Sequence, residues 1–545
     1  TPGHPEYSNK EGIDTTTGPL GQGFANGVGM ALAERYLSEK FGEDVINHYV
    51  YGIVSDGDLM EGVSTEAAEL AGTWGLGKII YFFDNNNISI DGSVDKVSIT
   101  NQKLKFESMG WHVLEIDAHN YEEIISSIAD AQSNLSRPSL IVATSEIGKY
   151  APTKANTSSS HGEPLGEKEM EGFLENLGWV GDVFDHPKEV YEYFSDKRIQ
   201  SSDDFNKWSE NLETRLSDNT FKGLWSDFIS SGISFEDLEL TEAKASRASG
   251  AEVLSEIAKS NEFILGGSGD LAASTKQLVG DTYFTKDNPL GRNIEYGVRE
   301  HAMAGITNGI VLHSNLKAFA STFLVFSDYM RPSIRLSALM GIDSVFIFTH
   351  DSLLLGEDGP THQPVEHLMS LRLIPNLDVV RPSNGNEINY AYRYAFSSNN
   401  RPTSIILSRQ GLDPVNSSLT QEEFDQGAYI VKEGSDASIF ASGSEVSTAL
   451  KIVDELKEYS IQVVSVPILN KLIDIDNEIL EKLRGKEKVF TLEIGTSVGW
   501  ADYIGKVDES FSLNSFGSSA PKDDLENFFK LDIKTVSERI KKKLN

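Results

Sequence analysis

The segment YVYGIVSDGDLMEG, residues 49–62, joins an apolar, β-branched run directly to a cluster of Asp and Gly residues. The pattern recurs in IIYFFDNNNISIDG, residues 79–92, after a helix-length stretch around Thr65 to Thr73. Strand, helix and strand in this order predict a right-handed crossover, which brings the carboxyl ends of both strands to one edge of a parallel sheet. This pair of segments therefore predicts an α/β fold with an open sheet edge rich in polar groups.

The same alternation of short apolar runs and helix-length stretches continues along the chain. Further strands are predicted at Phe263–Leu265, Ser344–Phe348, Val379–Val380, Ser404–Leu407, Ser438–Ala441, Gln462–Val466 and Val489–Leu492. Polar stretches from Gln200 to Leu240 and from Asn416 to Gln426 separate three sets of elements. We therefore expect three consecutive α/β domains with mainly parallel sheets, at residues 1–225, 241–418 and 425–545. The Ser-rich run Thr157 to Ser160 is predicted to be a mobile loop.

Composition excludes several classes of function. With 545 residues, 39% of them hydrophobic, the chain can bury several cores. Its net charge of -34 argues against nonspecific nucleic-acid binding, which needs basic patches. The chain has no Cys, so disulfides and thiolate metal sites are excluded, as fits a reducing cytoplasm. We also see no secretory signal and no apolar stretch of ~20 residues, and expect a soluble, cytoplasmic protein with no membrane partner.

A metal site is predicted where the two polar clusters meet. Asp56 follows the first strand and Asn86 follows the second, and the carbonyl of Ile88 is close to Asn86 along the chain. A carboxylate, an amide oxygen and a carbonyl oxygen suit Mg²⁺, with phosphate oxygens completing the octahedron. Turn chemistry alone is the alternative for either cluster, because Asp-Gly and Asn-Asn are common turn residues. The framing of both clusters by strands favours the metal site.

A glycine-rich turn precedes this region. The segment TTTGPLGQGFANGVGMALA, residues 15–33, leads into a helix whose apolar residues recur at four-residue spacing. Glycines let the backbone approach a ligand closely, and a helix N-terminus offers free N–H groups to it. The alternative is close packing through small residues, which we expect at Gly27 and Gly29.

Six motifs together resemble the transketolase family of thiamine diphosphate enzymes. They occur in family order and span nearly the whole chain: TPGHPE (1–6), TTTGPLGQG (15–23), SDGDLMEG (55–62), GVREH (297–301), GEDGPTHQP (356–364) and LSRQ (407–410). Ser55 replaces the first Gly of the family's Gly-Asp-Gly. The family also has a segment of roughly a hundred residues before TPGHPE, so the resemblance implies that an N-terminal segment is missing.

The resemblance implies a thiamine-diphosphate-binding fold, a homodimer and two cofactors, thiamine diphosphate and Mg²⁺ or Ca²⁺. The implied activity is reversible transfer of a two-carbon ketol unit from a ketose phosphate to an aldose phosphate, through a cofactor ylide, in the pentose phosphate pathway. Active sites would lie at the subunit interface, with Asp56 and Glu300 contributed by different subunits. Glu61 and Glu66 resemble acidic residues that link the two sites.

The resemblance also implies the site residues, both within these motifs and in the segments between them. The cofactor-binding set is Gly18, Pro19, Leu20, Asp56, Gly57, Asn86, His161, Asp270, Glu300, Phe323, Phe326 and Tyr329. The substrate-binding set is His4, His161, Arg247, Ser274, His350, Asp358, His362 and Arg409. The catalytic set is Glu300, His4, His161, His350 and His362, and the metal ligands are Asp56, Asn86 and Ile88.

Each group has a physical reason. Glu300 would stabilise the imino form of the cofactor's pyrimidine, Phe323 and Phe326 would stack on that ring, and the arginines would bind phosphate bidentately. Histidines suit proton transfer near neutral pH. The ordinary alternatives are a helix-start Glu, core-packed Phe rings and surface ion pairs. Two other functions also stay open: another thiamine enzyme, such as deoxyxylulose phosphate synthase or a dehydrogenase E1 component, and an incomplete subunit that needs an N-terminal partner.

Overall fold

The computed structural model describes residues 3–182, 185–230, 232–397, 400–415, 418–485 and 487–545. Thr1 and Pro2 of the TPGHPE motif, and Asn416 and Ser417 of the second polar stretch, lie outside these ranges. The chain forms two compact units. The first comprises Thr1–Pro5, Thr17–Ile229 and Thr285–Leu290, and the second comprises Glu6–Thr16, Ser230–Phe284 and Gly291–Asn545.

The first unit is built on a four-stranded parallel sheet. Its strands, in spatial order, are Val50–Val54, Ile79–Asn85, Ser139–Thr144 and His112–Asp117. Its helices are Gln22–Phe41, Asp56–Met60, Gly62–Trp74, Gln102–Ser108, Tyr121–Ser133, Glu167–Leu177, Lys188–Arg215 and Asn219–Ser230, with 3-10 turns at Val94–Lys96 and Ser158–Ser160. A short hairpin pairs Ile88–Ser89 with Gly92–Ser93.

Helix Gln22–Phe41 is buried along most of its length because small residues let the sheet approach it. A Cβ on Gly27 would lie 2.0 Å from the Tyr81 hydroxyl, which donates a hydrogen bond of 2.9 Å to the Phe24 carbonyl. Close packing, the alternative reading of this segment, therefore explains Gly27.

Two segments for which no helix was predicted contain helical turns. The Ser-rich run is not only a loop, because Ser158–Ser160 form a 3-10 turn in which the Ser160 hydroxyl donates to the Lys154 carbonyl at 2.6 Å. The polar stretch after Gln200 is helical to Arg215 and again at Asn219–Ser230. The ring of Phe41 contacts Trp225 and other aromatic rings of that stretch, which explains its aromatic content.

The second unit holds two further sheets. One has six parallel strands, in the order Asp378–Val380, Thr403–Ile406, Val345–Thr349, Lys317–Phe323, Ile264–Ser268 and Asn293–Glu295. The other has five, in the order Tyr429–Lys432, Ile461–Ser465, Ala437–Ala441, Lys488–Leu492 and Glu509–Phe511. Only its first strand is antiparallel to its neighbour. Lys244–Ala245 and Gly411–Leu412 form a small antiparallel pair. The prediction of mainly parallel sheets is confirmed.

Helices cover these sheets. In chain order they are Ser246–Ser260, Ala272–Thr275, Glu300–His313, Ser327–Met340, His367–Arg372, Asn386–Phe396, Gln421–Asp425, Glu445–Glu455, Asn477–Arg484, Trp500–Ile504, Lys522–Phe528 and Ile533–Leu544. The 3-10 turns are Leu324–Phe326, Leu353–Leu355 and Leu469–Ile473. None of the described helices combines the length and apolarity that a membrane crossing needs.

Candidate functional site

The carboxyl edge of the four-stranded sheet carries the predicted metal ligands. Asp56, Asn86 and Ser145 each follow one of three neighbouring parallel strands, so their backbones meet at this edge. Ser55 and Asp58 form a capping box at the start of the helix that begins with Asp56. This cap fixes the direction in which the Asp56 carboxylate leaves the backbone.

The glycine-rich turn contacts the same edge. The N–H of Gly21 donates a hydrogen bond of 2.9 Å to Asp58 Oδ1. A Cβ on Gly57 would lie 2.9 Å from Leu20 Cδ1, so the Leu20 side chain packs closely against the Gly57 backbone. Gly18 lies against the exposed His4, since a Cβ on Gly18 would be 3.6 Å from His4 Cβ. The structure thus brings Leu20 to Gly57, the residue after Asp56, and His4 to Gly18, with Pro19 exposed in the same turn.

Asp84 is a residue of this edge that the sequence reasoning missed. Its Oδ2 accepts a hydrogen bond of 2.9 Å from Asn86 Nδ2, and its Oδ1 accepts one from the Ser145 hydroxyl. Asn86 Oδ1 in turn accepts from the Ile88 N–H at 2.9 Å. Asp84 therefore fixes the orientation of the Asn86 amide, and leaves the amide oxygen facing the Ile88 backbone.

The donor atoms of this edge fit a hard divalent cation. Asp56 Oδ2 is buried and has no hydrogen-bond partner among the described residues. Burial, followed by the charge of Asp84, raises the pKa of Asp56 to about 6. A buried carboxylate oxygen without a donor, destabilised by a second carboxylate, is an environment that a bound cation would relieve. A cavity of about 480 Å³ adjoins Asp56 and is lined mostly by polar side chains.

Three other predicted residues of this unit lie in less constrained surroundings. His161 ends the 3-10 turn Ser158–Ser160, and its N–H donates to the Ser158 carbonyl at 2.9 Å. Glu61 is exposed and Glu66 is half-buried. The described contacts of His161 are local, and they do not join it to Asp56.

The carboxyl edge of the six-stranded sheet carries the second group. Five predicted residues end or follow five neighbouring parallel strands: Glu300, Asp270, Phe323, His350 and Arg409. Two of them, Asp270 and His350, adopt a left-handed backbone conformation with φ of 62°. Such a conformation costs about 1–3 kcal/mol for a residue other than glycine, and is typical of functional sites.

Glu300 begins helix Glu300–His313 and is buried, with 8% of its surface exposed. Its carboxylate lies under the turn after strand Ile264–Ser268, since a Cβ on Gly269 would be 3.3 Å from Glu300 Oε1. Asp270, the next residue, is exposed. The two acids are therefore neighbours, but only Glu300 is held away from water.

Aromatic rings form a continuous row at this edge. The rings of Phe323 and Phe326 stack with centroids 5.8 Å apart, and Phe326 contacts Tyr329 at 6.1 Å. The His350 ring lies 3.7 Å from the Phe323 ring, and the His362 ring meets Phe326 edge-on at 5.5 Å. Two predicted histidines and three predicted aromatic residues are thus in contact.

His350 is held as a neutral imidazole. Burial, followed by the charges of Arg247 and Arg409, lowers its pKa to about 3. Its Nε2 is 3.5 Å from Arg247 Nη1 and its Nδ1 is 2.8 Å from the Thr349 hydroxyl. Because a guanidinium can only donate, Nε2 accepts and Nδ1 carries the proton.

The two arginines form a site of uncompensated positive charge. Arg247 Nη1 donates to the Ser274 carbonyl at 2.6 Å, which places Ser274 in the same group. Its Nε is buried and has no hydrogen-bond partner in the described part of the chain. Burial, and then the charge of Arg409, lowers the pKa of Arg247. A pair of arginines facing each other without a carboxylate is suited to bind an anion such as phosphate.

Asp358 and His362 lie on the loop around Gly359. Asp358 is exposed, and Thr361 Oγ1 is 2.9 Å from His362 Nδ1. Gln363 anchors this loop by donating to the Ser518 carbonyl at 2.9 Å. The structure brings His362 to the aromatic row, whereas Asp358 remains apart on the surface of the loop.

A buried ionic network supports the His350 turn and was also missed. Asp351 accepts from Arg381 at 2.7 Å, and Arg381 also contacts Glu445. Glu493 accepts two bonds of 2.8 Å from Arg372 and lies 3.7 Å from Arg381. Burial, and then the charge of Asp351, raises the pKa of Glu445 to about 7, against the opposing effect of Arg381. Burial would raise the pKa of Glu493 too, but Arg372 lowers it to about 2. The three acids exceed the two arginines by one charge.

Three family descriptions match consecutive parts of the chain. Residues 1–224 match "Transketolase, thiamine diphosphate binding domain", residues 242–414 match "Transketolase, pyrimidine binding domain", and residues 427–532 match "Transketolase-like TK C-terminal domain".

Proteins with similar sequences and structures carry the same name. The transketolase of Bacillus subtilis is 41% identical over 100% of this chain and 85% of its own length, and that of Geobacillus stearothermophilus is 40% identical over 99% and 85%. Among solved structures, transketolase from Leishmania mexicana has a TM-score of 0.94 at 34% identity, over 99% of this chain and 82% of its own. A Pichia stipitis transketolase in complex with sedoheptulose-7-phosphate has a TM-score of 0.94 at 33% identity, over 100% and 84%.

Proposed function

The chain belongs to the transketolase family and is an enzyme of that type, and we propose that Asp56, Asn86 and the Ile88 carbonyl hold the divalent cation of its thiamine diphosphate. What supports this assignment is the buried, unpartnered Oδ2 of Asp56 beside a second carboxylate. The oxygen donors suit Mg²⁺ or Ca²⁺. The close approach of Leu20 to Gly57 supports a role for the glycine-rich turn beside the diphosphate.

Bound thiamine diphosphate supplies a stabilised carbanion for breaking and making the bond next to a ketose carbonyl. The buried carboxylate of Glu300 would hold the proton-bearing nitrogen of the cofactor's pyrimidine. The Phe323, Phe326 and Tyr329 row would contact that ring, since a row of aromatic rings at a sheet edge can stack on a flat heterocycle. Asp270, at the adjacent turn, would favour the cationic ring of the cofactor.

The substrate class follows from the two arginines, and this is the observation that carries the proposal. Arg247 and Arg409 are positive groups without a carboxylate partner among the described residues, although the whole chain has a net charge of -34. We infer that a sugar phosphate neutralises them, with Ser274 and Asp358 contacting the same substrate. Related Pichia stipitis enzymes have been solved with sedoheptulose-7-phosphate and fructose-6-phosphate.

Proton transfer falls to histidines. His350 is neutral and accepts at Nε2 in the absence of substrate, so a substrate hydroxyl that displaces Arg247 could donate to it. A bound phosphate would offset both arginines and raise the pKa of His350, which couples substrate binding to its basicity. His362, His4 and His161 are proposed as the other hydrogen-bonding groups around the substrate.

The direct test is ketol transfer by the purified chain. A sugar-phosphate donor and an aldose-phosphate acceptor should exchange a two-carbon unit without release of carbon dioxide, and only when thiamine diphosphate and Mg²⁺ are both present. Release of carbon dioxide from a ketose phosphate reaction, or turnover without the cofactor, would contradict the proposal.

We further propose a homodimer in which Asp56 and Glu300 of different subunits serve one cofactor. A heterodimer of Asp56→Ala and Glu300→Gln chains, purified through two different tags, would then contain one intact site and one doubly altered site. About half of the wild-type activity is expected. If both residues served the site of their own subunit, this heterodimer would be inactive. A heterodimer of wild type and Asp56→Ala is the control, because it keeps one intact site in either arrangement.

The placement of three domains at 1–225, 241–418 and 425–545, the cytoplasmic location and the place in the pentose phosphate pathway remain predictions. They rest on the polar stretches, on the absence of Cys and on the resemblance of the motifs.

A further inference from the structure

Three side chains with metal-binding chemistry lie close together in the second unit, and none of them belongs to the oxygen site at Asp56. One carboxylate oxygen each of Asp328 and Glu366 and one ring nitrogen of His367 are all within 4.8 Å of one another. No second group of three such side chains is this compact in the part of the chain that the structure describes. We refer to Asp328, Glu366 and His367 as the histidine–carboxylate cluster.

The separation of two of these atoms fits ligands of a shared ion. His367 Nε2 is 3.2 Å from Asp328 Oδ2. Ligands of a tetrahedral Zn²⁺ lie at about 2.0–2.1 Å from the metal, and two of them are therefore roughly 3.3 Å apart. The ion would need little movement of either side chain.

The burial of the imidazole is the second observation. Only 5% of the His367 side chain is exposed, against 61% of Asp328 and 60% of Glu366. His367 Nδ1 has no hydrogen-bond partner within the described residues, and the nearest carboxylate oxygen, Glu366 Oε2, is 3.9 Å away. That distance is too long for a hydrogen bond. The two ring nitrogens point in different directions, so the ion would be bound at Nε2 beside Asp328, and Glu366 would complete the site by rotation of its exposed side chain.

The scaffold holds the cluster in register. Asp328 is in the first turn of helix Ser327–Met340, and His367 begins helix His367–Arg372. Arg331 joins the two helices by donating to the Ser370 hydroxyl at 3.1 Å and to its carbonyl at 3.0 Å. Ser370 also donates to the His367 carbonyl at 3.1 Å. Two ligand-bearing helix ends are therefore fixed to each other before any ion binds.

The charge of the cluster also favours a cation. Two carboxylates beside one imidazole leave excess negative charge, which a cation would offset. Arg331 is the nearby positive group on the same helix, and its guanidinium is turned toward Ser370. A nitrogen donor with two carboxylates favours a borderline-soft ion of the Zn²⁺ class, whereas the all-oxygen donors near Asp56 favour Mg²⁺.

We propose that Asp328, Glu366 and His367 form a second metal site that binds Zn²⁺ or a similar divalent transition metal, with water at the remaining position. The site joins the start of helix Ser327–Met340 to the start of helix His367–Arg372. Because Tyr329 follows Asp328, bound metal would also fix the end of the aromatic row. The site would be separate from the cation site at Asp56, and would be occupied whether or not the cofactor is bound.

The experiment titrates Co²⁺ into the full-length chain, with Mg²⁺ and thiamine diphosphate in excess so that the oxygen site is filled. Bound Co²⁺ should give the visible absorption of a four- or five-coordinate ion, with one equivalent per chain, and Zn²⁺ should displace it. His367→Gln and Asp328→Asn should each weaken Zn²⁺ binding by at least about tenfold. His112→Gln, a histidine substitution on the four-stranded sheet, is the matched control and should bind as wild type does.

Two results would overturn the proposal. One is wild-type affinity in both His367→Gln and Asp328→Asn, which would place the ion elsewhere. The other is an absence of Co²⁺ absorption in the wild-type protein, which would mean that the three side chains do not bind a metal ion. Asp328 is exposed, so Asp328→Asn should keep the fold and decides the question if the buried His367→Gln variant does not fold.

Discussion

Asp84 should set the pH at which the proposed cation binds with the cofactor, and Asp84→Asn tests this. Burial and the charge of Asp84 raise the pKa of Asp56 to about 6. A cation can bind Asp56 only when the carboxylate is ionised, so protons compete with it below that pKa. Between about pH 7 and about pH 5 the ionised fraction falls about tenfold, and the apparent affinity for Mg²⁺ with thiamine diphosphate should fall about tenfold as well.

Asn at position 84 has nearly the same shape and can still accept a hydrogen bond from Asn86, while the Ser145 hydroxyl can turn to accept. The charge is lost, however, so one of the two causes of the raised Asp56 pKa disappears. The loss of affinity should therefore shift to lower pH in the variant. The plateau affinity near pH 8 should also be weaker, because Asp84 no longer attracts the cation.

Calorimetric titration across this pH range measures both effects, and the ratio of variant to wild type removes the titration of the cofactor itself. Asp91→Asn is the matched control, since it removes an exposed acid from the same loop. An affinity in the wild-type protein that does not change between about pH 5 and about pH 7 would refute the role of Asp56 protonation. The same pH profile in wild type and Asp84→Asn would refute the role of Asp84.

Three further predictions concern the second unit. Glu300→Gln should slow deuterium exchange at the reactive carbon of the bound cofactor by roughly 10²-fold or more, while the affinity for the cofactor changes much less. An unchanged exchange rate would remove Glu300 from the mechanism. Arg247→Ala and Arg409→Ala should raise KM for phosphorylated sugars while sparing kcat with the unphosphorylated donor hydroxypyruvate. The reason is that a phosphate contact remote from the reacting carbons contributes equally to binding of the substrate and of the transition state. Equal damage with both donors would make these arginines structural. Glu445 has a folded-state pKa of about 7, above its ordinary value of 4.5, so the folded protein binds the carboxyl proton more tightly than the unfolded chain does. The stability of the folded protein therefore falls as pH rises through about 7. Glu445→Gln should therefore unfold at a higher temperature than wild type near pH 8, and this difference should vanish near pH 5. A lower melting temperature for the variant near pH 8 would contradict the excess of buried negative charge.

The strands were predictable because buried parallel strands are continuous apolar runs. The predicted run Ile79–Phe83 and the observed strand Ile79–Asn85 begin at the same residue, and Ser438–Ala441 differs from the observed strand by one residue. Helix Lys188–Arg215 was not predicted, since its described side chains include no buried residue and so leave no apolar stripe in the sequence. A polar stretch of this kind has the same composition whether it is helical or irregular.

The site could be predicted as far as its residues follow strands, because the carboxyl ends of parallel strands meet at one edge. Asp56 and Asn86 are of this kind. Asp84 was missed because its role depends on Ser145, which lies 61 residues away in sequence and has no motif of its own. The link between Arg372 and Glu493 spans 121 residues, and no local pattern encodes a partner at that distance.

The ionic network around Arg381 constrains how this protein can evolve. Five charged side chains are fully buried with nearly balanced charges, so replacing one of them leaves an unpaired charge at a cost of about 3–5 kcal/mol. A single substitution at any of these positions gives a less stable protein, except at Glu445, where it removes the excess negative charge. Homologous proteins should therefore keep Arg372 and Glu493 together or replace them together. Position 445 should vary more freely and accept neutral residues. One part of this salt-bridge network is thus expected to be conserved as a unit, and the other part to vary.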